Sequence, residues 1–317
     1  MRSSKLAKRV RSSVLSIFRA VVLIEIGFII LYPVIYMVSM AFRPVEQMYN
    51  PNVVWIPISF TLDNVKRVWE FMNYPRAAWT TLYLDGICAL LQTAVCCLTG
   101  YGFARFKFKG RNLLFAIVIF TIIVPPSTTL ISSYLQFRSF DFGYIFSTLN
   151  WVFTGKFEGI RLINTPFVMW LPALFGMGIR SGLFVFIYRQ FFMGLPRELE
   201  EAAYIDGCGT FSCFRRIIIP NAKTEIITVL IFSIVWYYND TFYSTTYMDS
   251  LRTLSTSLQY LNENLSILSP LGAVMDRYQV VTLVQAACLL VILPLTVFYI
   301  FMQRYFTESV QRTGIVG

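Results

Sequence analysis

Long, continuous apolar runs constrain this chain more than any other feature. Six stand out, at about 15–40, 78–103, 111–132, 166–190, 222–246 and 281–303. Each approaches or exceeds the roughly 20 helical residues that cross a hydrocarbon layer of about 30 Å. Backbone facing lipid must satisfy its own N–H and C=O groups, which leaves helices or closed barrels. Barrel strands alternate apolar and polar residues. These runs do not alternate, so the expected fold is all-α and integral to a membrane, with six transmembrane helices. Composition agrees: charged residues make up 14% of the chain, against about 25% in ordinary soluble domains.

The net charge of +10 raises the question of nucleic acid, and its placement answers it. With the N-terminus taken as cytoplasmic, 17 of the 27 Lys and Arg residues fall in the inner segments or at the inner ends of the spans, and those segments are shorter in total than the outer ones. This is the positive-inside bias, and it sets both termini in the cytoplasm. The excess charge is therefore a topology signal, and no nucleic-acid partner is expected. Residues 1–14 form a basic, serine-rich head. The apolar run behind them is about 25 residues long and lacks a small-residue cleavage site, so it is read as an uncleaved first span.

Little supports chemistry at a catalytic centre. The chain has no histidine, the commonest general base and metal ligand. Its six cysteines all fall in expected spans or on the inner side, so neither a disulfide framework nor a zinc site is expected. No G-x-x-x-x-G-K-[ST] phosphate loop occurs, so no cofactor is expected in this chain and ATP must be hydrolysed elsewhere if it is used.

The most telling polar stretch is Pro196–Pro220, PRELEEAAYIDGCGTFSCFRRIIIP, between two apolar runs. Pro196 followed by Glu198, Glu200 and Glu201 marks a helix start, because proline is tolerated in the first turn and acids favour the positive end of the dipole. Gly207 supplies a turn position free of a Cβ penalty. A second short segment stops at Pro220. The result is helix, sharp turn, helix in a cytoplasmic loop, a firm shape for a soluble partner.

Glu201-Ala202-Ala203, Gly207 and Ile217-x-Ile219-Pro220 resemble the EAA loop of permease subunits of bacterial ABC importers, which reads E-A-A-x-x-x-G, nine residues, I-x-L-P. Two departures are visible: Ile219 stands for leucine, and Cys208 stands where a small residue is usual. The resemblance extends to the region Asn50–Glu70, the turn Phe103–Arg111, Arg189-Gln190-Phe191-Phe192, Phe232–Asp240, and Gln303-Arg304-Tyr305-Phe306 with the glycine-ending tail. It covers most of residues 15–317 and is similar to the six-span half of maltose transporters, and closer to a subgroup used for complex oligosaccharides. The outer loop at 133–165 is longer than in the short form.

The resemblance implies a type I ABC importer permease fold in a bacterial cytoplasmic membrane, with the loop as a coupling helix. It implies a second permease, two cytoplasmic ATPase subunits that bind ATP and Mg, an extracytoplasmic sugar-binding protein, and an oligosaccharide substrate. Glu201, Ala202, Ala203, Asp206 and Gly207 are the coupling set it points to. Gly314 and Gly317, in the tail, are candidates for the ATPase interface.

Substrate-path candidates come from the residues themselves. Trp236, Tyr237, Asn239 and Asp240 sit near the outer end of the fifth run, and aromatic faces with amide and carboxylate groups suit sugars. They suit an interfacial belt ending in a helix cap equally well. Arg180, charged within the fourth run, is a functional candidate by default; it also has Asp85 and Asp240 as possible structural partners. Glu25 and Asp85 are read as structural. The competing class, a stand-alone carrier or channel for small polar solutes, needs coupling carboxylates deep in the spans, where Glu25 and Asp85 are the ones available, and it leaves the EAA loop without use. Val124-Pro125-Pro126 is expected to break or kink the third run.

Overall fold

The structure, a computed structural model, describes residues 2–50, 55–264 and 276–314. The described residues form helices α1 (Arg2–Ala41), α2 (Asp63–Phe71), α3 (Tyr74–Arg105), α4 (Arg111–Ile123), α5 (Pro126–Arg138), α6 (Ile145–Thr154), α7 (Phe167–Leu174) and α8 (Ser181–Gly194). Then follow α9 (Glu198–Ile205), α10 (Thr210–Cys213), α11 (Ile219–Asn221), α12 (Lys223–Tyr238), α13 (Phe242–Tyr247), α14 (Leu254–Glu263) and α15 (Arg277–Gly314). The described residues contain no strand, only an isolated bridge between Phe140 and Ile160. The all-helical expectation is met.

Among the described residues three helices are long and apolar enough to cross a membrane: Ser13–Ala41 within α1, α3, and Arg277–Tyr305 within α15. Two further segments qualify only as bent pairs, α4 with α5 at 101° and Thr210–Asn221 with α12 at 76°. The run at 111–132 is broken at Val124-Pro125-Pro126 as expected, and those at 166–190 and 222–246 are interrupted as well, each for a local reason. In the first, Pro125 and Pro126 lack N–H donors and end α4. The second contains Pro172, and the chain leaves the helix at Phe175 through Gly176 at φ +70° and Arg180 at φ +60°. In the third, α12 stops at Tyr238 and the chain restarts at α13, whose N-terminus is held by Asp240.

The chain divides into two compact units, residues 1–72 with 261–293, and 73–260 with 294–317. In the first, Asn64 fastens α2 to the end of α1 by donating to the carbonyls of Ala41 (3.2 Å) and Arg43 (2.9 Å). The Tyr49 hydroxyl donates to Asp276 at 2.6 Å, which raises its pKa above the ordinary phenol value.

In the second unit α3 is the central post, with α7, α8 and α12 against it. One apolar cluster lies at its C-terminal half, including Cys97, Tyr101, Phe184, Tyr188, Phe192 and Phe214. Another lies at its N-terminal half, including Leu84, Cys88, Val168, Met169 and Tyr237. Close approach of α3 and α8 depends on Gly100: a Cβ there would stand 2.5 Å from Tyr188 Cβ and 3.0 Å from the Arg189 backbone nitrogen.

The interruption between α7 and α8 leaves backbone groups without helical partners, and side chains supply them. Gln92 on α3 donates to the Ile179 carbonyl at 2.6 Å, the Ile179 N–H donates to the Tyr237 hydroxyl at 3.3 Å, and that hydroxyl donates back to Gln92 Oε1 at 2.5 Å. Non-helical backbone at membrane depth is tolerated where protein satisfies it in this way.

Candidate functional site

The polar stretch after α8 folds as the short helices α9 and α10, followed by a turn into α11. Arg197 precedes α9, and the acids Glu198, Glu200 and Glu201 occupy its first turn, where the unpaired N–H groups favour negative charge. The helix ends as its sequence requires. Gly207 adopts φ +79°, its N–H donates to the Tyr204 carbonyl at 3.1 Å, and Cys208 N–H donates to the Ala203 carbonyl at 2.9 Å. Left-handed backbone of this kind costs glycine little and other residues more. After α10 the chain makes a single π-helical turn, Phe214–Ile218, before Pro220.

α9 has two faces. Glu200 and Ala203, three apart, point inward and are buried. Glu201, Ala202, Tyr204, Ile205, Asp206 and Gly207 are exposed. Ile205 is 85% exposed and Phe211 on α10 73%. Two large apolar side chains flanked by carboxylates on one short segment make an outward surface with both shape and charge. Four of the five residues expected to act in coupling, Glu201, Ala202, Asp206 and Gly207, are on it; Ala203 instead packs into the chain's own apolar cluster.

Sequence reasoning missed the group that holds this helix in place. Glu200 Oε1 lies 3.0 Å from Arg105 Nε, with the two side chains 11% and 6% exposed. The Arg105 Nε–H is not aimed for a hydrogen bond, so the contact is one of charges; Arg105 Nη2 spends its own donor on the Leu195 carbonyl at 2.9 Å. Tyr101, one turn earlier on α3, donates its hydroxyl to Glu200 Oε1 at 3.2 Å. Its ring packs on Phe214 and Phe192 at 4.7 and 5.5 Å between centroids. A signal was present in the sequence: Glu200 shares the helix face of Ala203, and Glu201 does not.

The substrate-path candidates separate. Tyr237 is buried and committed to the Gln92–Ile179 network. Asp240 is buried and caps α13: Oδ2 accepts from the Ser244 N–H at 2.9 Å and from its hydroxyl at 2.8 Å, and Oδ1 accepts from Tyr243 N–H at 3.2 Å. Asn239 is exposed and donates to the Val235 carbonyl at 2.8 Å. Trp236 is partly exposed, and the Arg180 guanidinium lies over its ring, 4.7 Å from the centroid. A guanidinium over indole is favourable; no ion pair joins Arg180 to Asp85 or Asp240. One oxygen of the buried Asp85 carboxylate has no hydrogen-bond partner, and Glu25 is exposed on α1. Gly314 is the last residue of α15, and Gly317 lies outside the described residues.

Residues 97–312 match the family described as binding-protein-dependent transport system inner membrane component. The arabinooligosaccharides transport system permease protein AraQ of Halalkalibacterium halodurans is 25% identical over 315 residues, covering 98% of this chain and all of the relative. The melibiose/raffinose/stachyose import permease protein MelC of Bacillus subtilis is 27% identical, covering 83% of this chain and 84% of its own. Among solved structures, a bacterial ABC transporter involved in import of the acidic polysaccharide alginate superimposes with a TM-score of 0.70 at 20% identity, over 92% of this chain and 96% of that one. At that identity the likeness speaks to the fold alone. The matched region takes in α9, the turn at Gly207 and the segment to Pro220, and the chain belongs to the family of binding-protein-dependent transport system inner membrane components.

Proposed function

We propose that this chain is the permease subunit of an ATP-driven, binding-protein-dependent importer and forms half of a translocation pathway for an oligosaccharide. It carries no catalytic role of its own. The observation that supports this best is the two-faced α9: an inner edge fixed to the chain and an outer face bearing Glu201, Ile205 and Asp206, beside the exposed Phe211 of α10. Such a surface fits a pocket on a soluble ATPase, with Gly207 setting the angle at which it is presented.

The proposed assembly pairs this chain with a second, different permease over two ATPase subunits, which bind ATP and Mg, and it receives sugar from an extracytoplasmic binding protein. A solved relative of the fold was captured with a pentasaccharide-bound periplasmic protein. Both termini are placed in the cytoplasm, by the distribution of basic residues. The tail at Gly314–Gly317 is proposed as a second contact with the ATPase. Trp236, with Arg180 over its ring, is the favoured substrate-path pair, and Asn239 lies beside it. Tyr237 and Asp240 support that region from behind.

The test is reconstitution of the chain with its genomic neighbours in lipid vesicles. Binding protein loaded with an arabino- or galacto-oligosaccharide is expected to stimulate ATP hydrolysis, and Glu201→Lys is expected to remove the stimulation. A folded chain that retains no ATPase through purification, yet moves solute, would identify a stand-alone carrier instead.

A further inference from the structure

We propose that Arg105 and Glu200 are the positioning pair through which displacement of α9 is passed to α3, resting on the reading of α9 as the ATPase-facing element. Three observations converge on it. The pair joins the last residue of the central helix to the buried edge of the exposed one. The same guanidinium also holds the Leu195 carbonyl at 2.9 Å, at the entry to the loop. Tyr101 adds a third contact to the same carboxylate oxygen, at 3.2 Å. One charged cluster thus grips the segment at its entry and within the first turn of α9.

The chemistry favours transmission over stability. A buried ion pair is frequently no more stabilising than apolar residues of the same size, because both charges lose water. What it adds is direction. Apolar contact is non-directional, and the surface around Ala203, Cys213 and Phe214 resists separation more than sliding. A charge pair with a hydroxyl on one oxygen fixes register in both senses. Pull or push on α9 therefore reaches α3 at Arg105 instead of being absorbed by slip. α3 in turn carries Gln92, which holds the Ile179 carbonyl in the break before α8. The path from the exposed surface to the interrupted backbone is made of named contacts on one helix.

The test compares wild type, Glu200→Gln, and the exchange Arg105→Glu with Glu200→Arg in the reconstituted complex. The readouts are sugar transported per ATP hydrolysed and retention of the ATPase through purification. Glu200→Gln is expected to assemble and hydrolyse ATP while its transport per ATP falls on the order of tenfold, a typical size for coupling between sites. The exchange is expected to recover most of the loss, which a purely structural role does not predict for the ratio. Should Glu200→Gln fail to assemble, Glu200→Asp keeps the charge with shorter reach, and its ratio is expected to fall part-way. An unchanged ratio in whichever of these two variants assembles overturns the proposal. Failure of wild type itself to retain an ATPase or to transport sugar counts instead against the importer reading on which the proposal rests.

Discussion

Gly100 is where α3 and α8 come closest, and replacing it with alanine isolates the energetic worth of that approach. An added Cβ would stand 2.5 Å from Tyr188 Cβ, 3.0 Å from the Arg189 nitrogen and 3.2 Å from the Val185 carbonyl oxygen. Carbon atoms rest at about 3.5–4.0 Å, so the helices must part by roughly 1 Å. Two of the three neighbours are backbone, and the third is fixed to it. None can swing aside. Interiors packed at crystal density resist such shifts, and overpacking costs about 1–3 kcal/mol. Gly102, two residues along the same helix, is the internal control: its Cβ would meet nothing nearer than Phe106 Cδ2 at 3.9 Å. Both substitutions gain the same helix propensity, up to about 1 kcal/mol, so their difference reports the clash. Gly100→Ala is expected to lie about 2 kcal/mol below Gly102→Ala, an apparent Tm gap on the order of 5 °C. The assay is loss of monodisperse protein on heating in detergent. Melting of the two variants within about 1 °C of each other, inside the span of a few tenths of a kcal/mol, would refute the close-packing argument.

Two further outcomes follow from contacts already described. Tyr237→Phe removes the hydroxyl that serves Gln92 and Ile179, leaving a buried amide oxygen short of a donor. A cost of about 1–3 kcal/mol is expected in the same melting assay, and no loss would mean that another group closes the network. In single-cysteine variants of the α9–α10 segment, Cys208 is partly exposed and Cys213 fully buried. Maleimide is therefore expected to label Cys208 at least about tenfold faster, since access governs thiol reactivity; equal rates would place α10 differently.

How much of this was legible in the sequence depends on whether the determinant was local. The helix start at Pro196–Glu201 and the turn at Gly207 are properties of a few adjacent residues, and they stand as read. The break at Pro125-Pro126 was equally visible. The interruption at Phe175–Arg180 was not, although Pro172 and Gly176 mark it in hindsight. Hydropathy averages over it, and what sustains it is Gln92, 87 residues away from Ile179. The same holds for Asp240. Its carboxylate has ligands within four residues, so the capping role was one of two readings from the start, while only burial decides between them. Glu200 was passed over because the motif draws the eye to Glu201. Which of two neighbouring acids turns inward depends on the helix phase relative to α3, a tertiary fact.

The sharp bend between α4 and α5 bears on permeability. α4 has 13 residues and so rises about 20 Å, roughly two-thirds of a 30 Å hydrocarbon layer. In the proposed topology Arg111 lies at the inner headgroups, and the chain turns away while still well below the outer surface. The last intrahelical bond is from Val124 N–H to the Phe120 carbonyl, and the carbonyls beyond it need partners from protein or water. Water admitted from outside to satisfy them leaves a septum only as deep as α4. The transmembrane voltage, worth about 2.3 kcal/mol per charge per 100 mV, then drops across that septum instead of the whole bilayer. A charged cargo would feel little of the field until it reached the level of the bend and nearly all of it below.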